Sequence, residues 1–257
     1  MQLRMTDLPF RLRRKFHKIV GTHHVRTRYG VTMRANWQDA TFNMCYEGSY
    51  GTALATLIAQ HRDDFLFLDI GANQGLYSLL AARNPTCRQA YAFEPVAQTY
   101  KLLLDNIAAN GFQTSITPVQ AAVSALTGSA TITLRTAHSG AASLENTALT
   151  QGGAVETIRT LDISGVDSLL RPDGVILVKI DVEGHEAVVI DQLMQSRHQQ
   201  RIAAIFYEVD EGWNDPVALE ATLRNSGFSR FVRHGTGTHY DVLALRDEAE
   251  VAGQGRA

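Results

Sequence analysis

Phe65-Leu-Phe-Leu-Asp69-Ile-Gly71-Ala-Asn73-Gln-Gly75-Leu-Tyr-Ser-Leu-Leu-Ala-Ala82 is the stretch that decides the fold. Phe65 to Ile70 is a short apolar run of strand type, and Leu76 to Ala82 is helical, with a glycine-rich turn between them. Such glycines let the chain turn sharply and bring backbone close to a ligand, while the next helix offers unpaired N–H groups. Asp69, a carboxylate at the lip of the strand, speaks against a dinucleotide site. A pyrophosphate would set two negative charges beside it, whereas a ligand carrying ammonium and sulfonium cations would be attracted. Asn73 also replaces the second glycine of G-x-G-x-x-G, the one that lets backbone reach pyrophosphate.

The same rhythm extends outward from this turn. Gln89 to Phe93 reads as a second strand, Val96 to Asn110 as a long helix closed by Gly111, and Ser115 to Val123 as a third strand. Val175 to Ile180 and Ile202 to Val209 are further strands, and each is followed by a helix, Ala187 to Met194 and Pro216 to Ser226. Phe228 to Val232 and Tyr240 to Leu245 can close the sheet as an antiparallel hairpin. Thr131 to Leu134 and Val155 to Ile158 are β-prone and flank a Ser/Ala/Thr/Gly-rich segment, 136–154, that reads as a long loop. Upstream, residues 25–36 suggest a short hairpin around Tyr29-Gly30, and Tyr50 to His61 a helix. Strands alternating with helices predict an α/β fold, a doubly wound, mostly parallel sheet covered on both faces. Ligands of such sheets bind beyond the carboxyl ends of the strands.

The second strand ends in Ala-Phe-Glu94-Pro95, placing Glu94 25 positions after Asp69. That is near the spacing at which an acid accepts hydrogen bonds from ribose hydroxyls. The bland alternative makes Asp69 a helix cap and Glu94 a solvated acid.

The 257 residues suit a single α/β domain with an N-terminal extension. We divide the chain into a basic extension (1–44), a core domain (45–246) and a polar, disordered tail (247–257). No apolar run approaches the roughly 18 residues of a membrane span. The N-terminal segment lacks the features of a secretory signal. Cys45 and Cys87 stand far apart and read as reduced thiols of a cytoplasmic protein. The net charge of −2 hides an asymmetry: residues 1–30 contribute +7, which leaves −9 for the rest. The acidic body argues against a broad nucleic-acid-binding face. A helix starting near Pro9 would align Leu12, Phe16, Ile19 and Val20, with Arg11, Arg13, Arg14, Lys15 and Lys18 over much of the remainder. Residues 9–28 therefore read either as a solvated helix or as a contact with a membrane surface or anionic partner.

Taken in order, FLDIGANQGLYSL, AFEP, VQAAVSALTGSATI, TLD at Thr160 to Asp162, and VKIDVEGHE at Val178 to Glu186 closely resemble the FkbM family of methyltransferases, over about residues 45–210. The resemblance implies a seven-stranded Rossmann-like sheet with an antiparallel last strand. It implies S-adenosylmethionine as methyl donor, and a hydroxyl of a sugar, glycolipid or secondary metabolite as acceptor. Carried over by position, Asp69, Gly71, Asn73 and Gly75 look like the turn at the methionine end. Glu94, with Pro95 after it, looks like the ribose acid. Gln120, Ala121 and Ala122 resemble the block that meets adenine, although Gln120 and Ala125 depart from the common pattern. Glu47 stands where the family carries an acid ahead of the first core strand, and reads equally well as a pocket or a surface residue.

Lys179-Ile-Asp181-Val-Glu183-Gly-His185-Glu186 concentrates ionisable groups at the end of an apolar strand. Perturbed acids and bases in such a place mark a candidate catalytic site. Methyl transfer to an alcohol requires alignment of the acceptor oxygen and removal of its proton. Asp181 is the first candidate for base or orienting group, and His185 the second because its intrinsic pKa is near neutral. Glu183, Glu186 and Glu208 are candidates for catalysis or acceptor binding. Helix capping by Asp181 or its pairing with Lys179, and solvent exposure of His185, are the structural alternatives. No metal is expected, although Glu208 and Asp210 could add oxygen ligands. Nitrogen or carbon acceptors and a nicotinamide-dependent oxidoreductase are the competing readings.

Overall fold

A computed structural model describes residues 10–134, 142–143 and 154–247. Helix α1 (Phe10–Val20) precedes a hairpin of β1 (His24–Arg26) and β2 (Thr32–Arg34), then helices α2 (Ala40–Glu47) and α3 (Thr52–Gln60). The core runs β3 (Phe65–Ile70), α4 (Leu76–Arg83), β4 (Cys87–Phe93), α5 (Ala97–Asn110) and β5 (Ile116–Val119). A small sheet follows, from β6 (Ala122–Val123), β7 (Gly128–Leu134), β8 (Ala142–Ser143) and β9 (Ala154–Leu161). The chain then returns through α6 (Ile163–Asp167), β10 (Val175–Ile180), α7 (Glu186–Met194), β11 (Ile202–Asp210), α8 (Pro216–Asn225), β12 (Phe228–His234) and β13 (His239–Arg246).

Seven strands form the central sheet in the order β12-β13-β11-β10-β3-β4-β5. The five from β11 to β5 are mutually parallel, and β13 runs antiparallel between β12 and β11. The expected doubly wound sheet with an antiparallel closing strand is what the chain builds. Strand order reverses at β3 and β10, whose register sets Lys179 opposite Asp69. Crevices for ligands open at such switch points.

All six residues of β3 are buried. Leu66, Leu68 and Ile70 join one core layer, and Phe65 and Phe67 the other, as strand alternation requires. Val25, Val31 and Met33 of the hairpin region sit in the same layer as Phe65 and Phe67. The amide N–H groups of Thr32 and Arg34 bond to Asn110 and Asn106 of α5. The segment read as an extension thus shares the core from Val25 onward, and α2 spans the boundary drawn at residue 44.

Other sequence expectations need correction. The strand expected over Ser115–Val123 is two strands: β5 ends at Val119, and β6 turns away into the small sheet. Pro118 is tolerated because β5 is an edge strand paired only to β4. Helix α2 was not anticipated, although Asp39 caps Phe42 N and Gly48 closes the helix at φ +72. Arg246, at the end of the core domain, is buried, and its guanidinium donates to the carbonyls of Ile202, Ser226 and Gln199. The 136–154 loop falls outside the described residues except for Ala142–Ser143, which pairs with β7, and Ala154, the first residue of β9. Pro9 and residues 248–257 also lie outside them. No described helix is long and apolar enough to cross a membrane.

Candidate functional site

A cavity of about 290 Å³ opens at the carboxyl ends of β3, β4, β10 and β11. Gly71, Asn73, Glu94, Pro95, Ala121, Ala122, Asp181, Glu183, His185 and Glu208 all reach its wall. The fold therefore brings most of the candidate residues to one place. Thr41 and Met44 of α2, Tyr50, Val123 and Ile132 also line it and were not anticipated.

The glycine turn is held from behind. Gly71 has φ +78, and a Cβ there would lie 1.9 Å from the backbone oxygen of Asp181. Close approach of the β3 and β10 loops thus requires glycine. Gly71→Ala is expected to lose about 2–5 kcal/mol, from left-handed strain and overpacking together, measurable by denaturant titration. Asn73, at φ +50, donates its N–H to Glu94 Oε2 at 2.9 Å. Val96 N donates to the other oxygen, Glu94 Oε1, at 2.9 Å. Burial pushes the Glu94 carboxyl up to about 7, against the pull of these two N–H donors. The remaining lone pairs of Glu94 are acceptors for hydroxyls entering the cavity. Ala121, Ala122, Val123 and Ile132 add an apolar slot next to it.

Asp69 is not on the cavity wall. It is fully buried, and its Oδ2 accepts from both the N–H (3.0 Å) and the Oγ (2.7 Å) of Ser78 in the first turn of α4. A helix start leaves such N–H groups without partners, and Asp69 supplies one. Its Oδ1 lies 3.4 Å from Lys179 Nζ. The acid therefore meets a fixed internal cation, and the acids that face the cavity are Glu94, Asp181, Glu183 and Glu208 instead. Gly75, at φ +87, starts α4 and packs toward Leu103. Gln120 is exposed and off the wall.

Lys179 is buried at the junction of β3 and β10. Its ammonium donates to the Gly71 carbonyl at 2.5 Å and stands 3.7 Å from Asp181 Oδ2. Burial opposes its charge, but Asp181 and Asp69 outweigh this and raise its pKa. Asp181 accepts from the Tyr50 hydroxyl at 3.0 Å. Asp181, first, and burial, second, push the Tyr50 phenol well above its ordinary value, so Tyr50 stays a donor. Asp181 is thus a carboxylate clamped between a cation and a hydroxyl, with one edge on the cavity.

Glu183, at φ +52, turns its side chain back toward Asp181 and Glu208. Each of the three offers a carboxylate oxygen within 4.8 Å of the others, a spacing that a hard cation can bridge. Protonation relieves the same crowding: burial and then Asp181 and Glu183 raise Glu208 to about 9. Asp210 faces His239 at 3.5 Å and lies outside this group. His185 starts α7 and contacts Ser124 Oγ through Nε2 at 3.1 Å. Glu186, by contrast, is buried and accepts from Val182 N, Gly184 N and Asn214 Nδ2, so it shapes the 181–185 turn away from the cavity. Glu47 is exposed and pairs with Arg14 at 2.6 Å.

A second cavity of about 280 Å³ shares Tyr50, Asp181 and Glu208 with the first. Tyr77, Phe206 and Tyr240 give it aromatic walls, and His239 and Asp241 polar ones. Burial, and secondarily Asp181, raises Asp241 to about 6.

The methyltransferase FkbM domain matches residues 69–230. A methyltransferase of Sordaria araneosa, sdnD, is 27% identical over 190 residues, which cover 63% of this chain and 72% of that protein. Among solved structures, precorrin-6y C5,15-methyltransferase from Geobacter metallireducens is 15% identical with a TM-score of 0.45, over 76% of this chain and 87% of that one. The enzyme in the complex of aTrm5 with leucine tRNA is 11% identical with a TM-score of 0.47, over 87% and 52%.

Proposed function

The chain belongs to the FkbM methyltransferase family, and on that premise we propose that it moves a methyl group from S-adenosylmethionine to a hydroxyl of a sugar, glycolipid or secondary metabolite. The reading is carried by Asp181, clamped between Tyr50 and Lys179 on the wall of a cavity that Glu94 also enters. Glu94 would accept hydrogen bonds from the ribose hydroxyls, Ala121, Ala122, Val123 and Ile132 would hold the adenine, and the turn from Gly71 to Asn73 would hold the methionine end. This donor set fits the group: one acid for a diol and an apolar slot for an aromatic base. When bound, the cofactor supplies a methyl carbon already activated by its sulfonium.

The chain's own groups then act on the acceptor. Asp181 takes the hydroxyl proton, Tyr50 fixes the orientation of its carboxylate, and the Lys179 ammonium stands 3.7 Å from it on the other side. His185 is the second candidate for the base, and Glu183 and Glu208 position the acceptor. Acidic walls on this side disfavour a polyphosphate acceptor such as nucleic acid. They suit a protonated amine as well as a polyol, which makes N-methylation the second reading. We place the reaction in the cytoplasm, since Cys45 and Cys87 are separate free thiols.

Incubation with methyl-labelled S-adenosylmethionine and a cell extract should label a small molecule or glycolipid on oxygen. Label on nitrogen would establish the second reading. Calorimetry should show binding of S-adenosylhomocysteine and none of NAD; the reverse result removes the proposal. Glu94 adds a pH signature. Its carboxyl titrates near 7, and the ionised form is the better acceptor for a diol. Affinity for S-adenosylhomocysteine should therefore tighten about tenfold from about pH 6 to pH 8. Glu94→Gln should bind more weakly and flatten that profile.

A further inference from the structure

Helix α1 is turned inside out. It rests on the domain through Phe10, whose ring lies 5.0 Å from that of Tyr46, and through Arg14, which donates to Glu47 and Asn43 on and beside the outer face of α2. At about 100° per residue, Leu12, Phe16, Ile19 and Val20 fall on one arc of the other side, itself about 100° wide. All four are exposed, Ile19 by 84%. A surface helix ordinarily turns such an arc to the core. Here Phe10 and His17 against Tyr46, and Arg14 and Lys18 over the Trp37 ring, make the attachment, and the apolar arc faces out.

The charge around the arc selects what can cover it. Lys15 and Lys18 are exposed on the helix, and Arg26 and Arg28 are exposed on the adjoining hairpin segment. From residue 8 to residue 38 the chain holds eight Lys/Arg and neither Asp nor Glu. A second copy of this chain would bring two such basic regions face to face, which like-charge repulsion opposes. A nucleic acid would use the cations and leave four apolar side chains in water. An anionic lipid surface satisfies both sets: acyl chains take the arc, and headgroups take the flanking cations.

We propose that α1 is an interfacial helix that seats the protein on an anionic membrane surface, with Leu12, Phe16, Ile19 and Val20 inserted and Lys15, Lys18 and Arg26 at the headgroups. Its neighbour α2 sends Thr41 and Met44 into the wall of the cavity. The cavity is therefore one helix away from the lipid. Where the methyl-transfer reading holds, this favours the glycolipid among its acceptor classes.

Co-sedimentation of the full chain with vesicles tests the docking without any methyl donor. The chain should sediment with phosphatidylcholine vesicles containing about 30% phosphatidylglycerol, and at least tenfold less with phosphatidylcholine alone. Raising salt from about 0.1 to 0.5 M should weaken binding about tenfold. Phe16→Glu and Ile19→Glu should each lose vesicle binding about tenfold while binding S-adenosylhomocysteine like the wild type, which shows that the variants are folded. Equal sedimentation of Ile19→Glu and the wild type overturns the proposal, as does a wild type that stays in the supernatant. A wild-type dimer that Ile19→Glu converts to monomer, with no vesicle binding, assigns the arc to a second copy and overturns it too. Vesicle binding without methyl transfer would remove the proposed reaction and leave the docking intact.

Discussion

Asp181→Asn is expected to lower turnover by about 10²- to 10⁴-fold, the range for loss of a positioned base, with S-adenosylhomocysteine affinity within about threefold of the wild type. Asparagine keeps the shape of the side chain and can still accept from the Tyr50 hydroxyl. It cannot take a proton. Lys179 loses one carboxylate but keeps Asp69 at 3.4 Å and the Gly71 carbonyl, so the fold should survive. Steady-state kinetics at saturating acceptor separates the possibilities. Full turnover in Asp181→Asn would transfer the role to His185. Tyr50→Phe should cost far less, about tenfold in kcat, because it removes one hydrogen bond that orients the carboxylate and leaves the base itself.

Lys179→Met should be the most destabilising single change in this region. Lys179 and Asp69 are both sealed in the sheet, at 4% and 0% side-chain exposure. Methionine fills the space but leaves the Asp69 carboxylate with Ser78 alone. Breaking a buried ion pair from one side costs about 3–5 kcal/mol. For a chain of this size that lowers Tm by roughly 10 °C. Adding Asp69→Asn to Lys179→Met should recover a large part of the loss, since the uncompensated charge goes with it. Thermal unfolding of the two variants measures both effects. A Lys179→Met protein within about 1 kcal/mol of the wild type would mean that water or a neighbour compensates Asp69.

How far these sites were legible follows from how local their determinants are. The strand, turn and helix over residues 65–83 could be read because apolar pattern and glycines lie within one short window. Glu94 could be read because a strand end fixes where a side chain emerges. The role of Asp69 could not be settled there, because its partners are Ser78 on the next helix and Lys179 on a strand far along the chain. Tyr50 reached the site unseen for the same reason: its contact with Asp181 spans 131 positions. Helix α2 did carry local signals, the Asp39 cap and Gly48, but eight residues give too little periodicity to outweigh the loop-like segment around them. The burial of Arg246 was not legible, because the carbonyls that hold it, Gln199, Ile202 and Ser226, lie 20 or more positions away along the chain.

Thr41, Met44 and Tyr50 belong to a segment that precedes the matched region, residues 69–230, while Asn73, Glu94 and Ala122 lie within it. Part of the cavity wall is thus written outside the matched stretch, while its acids all lie inside it. Drift in the upstream stretch can reshape that part of the wall and leave Asn73, Glu94 and Ala122 untouched. A lineage could diversify its products in this way without ever re-inventing its chemistry.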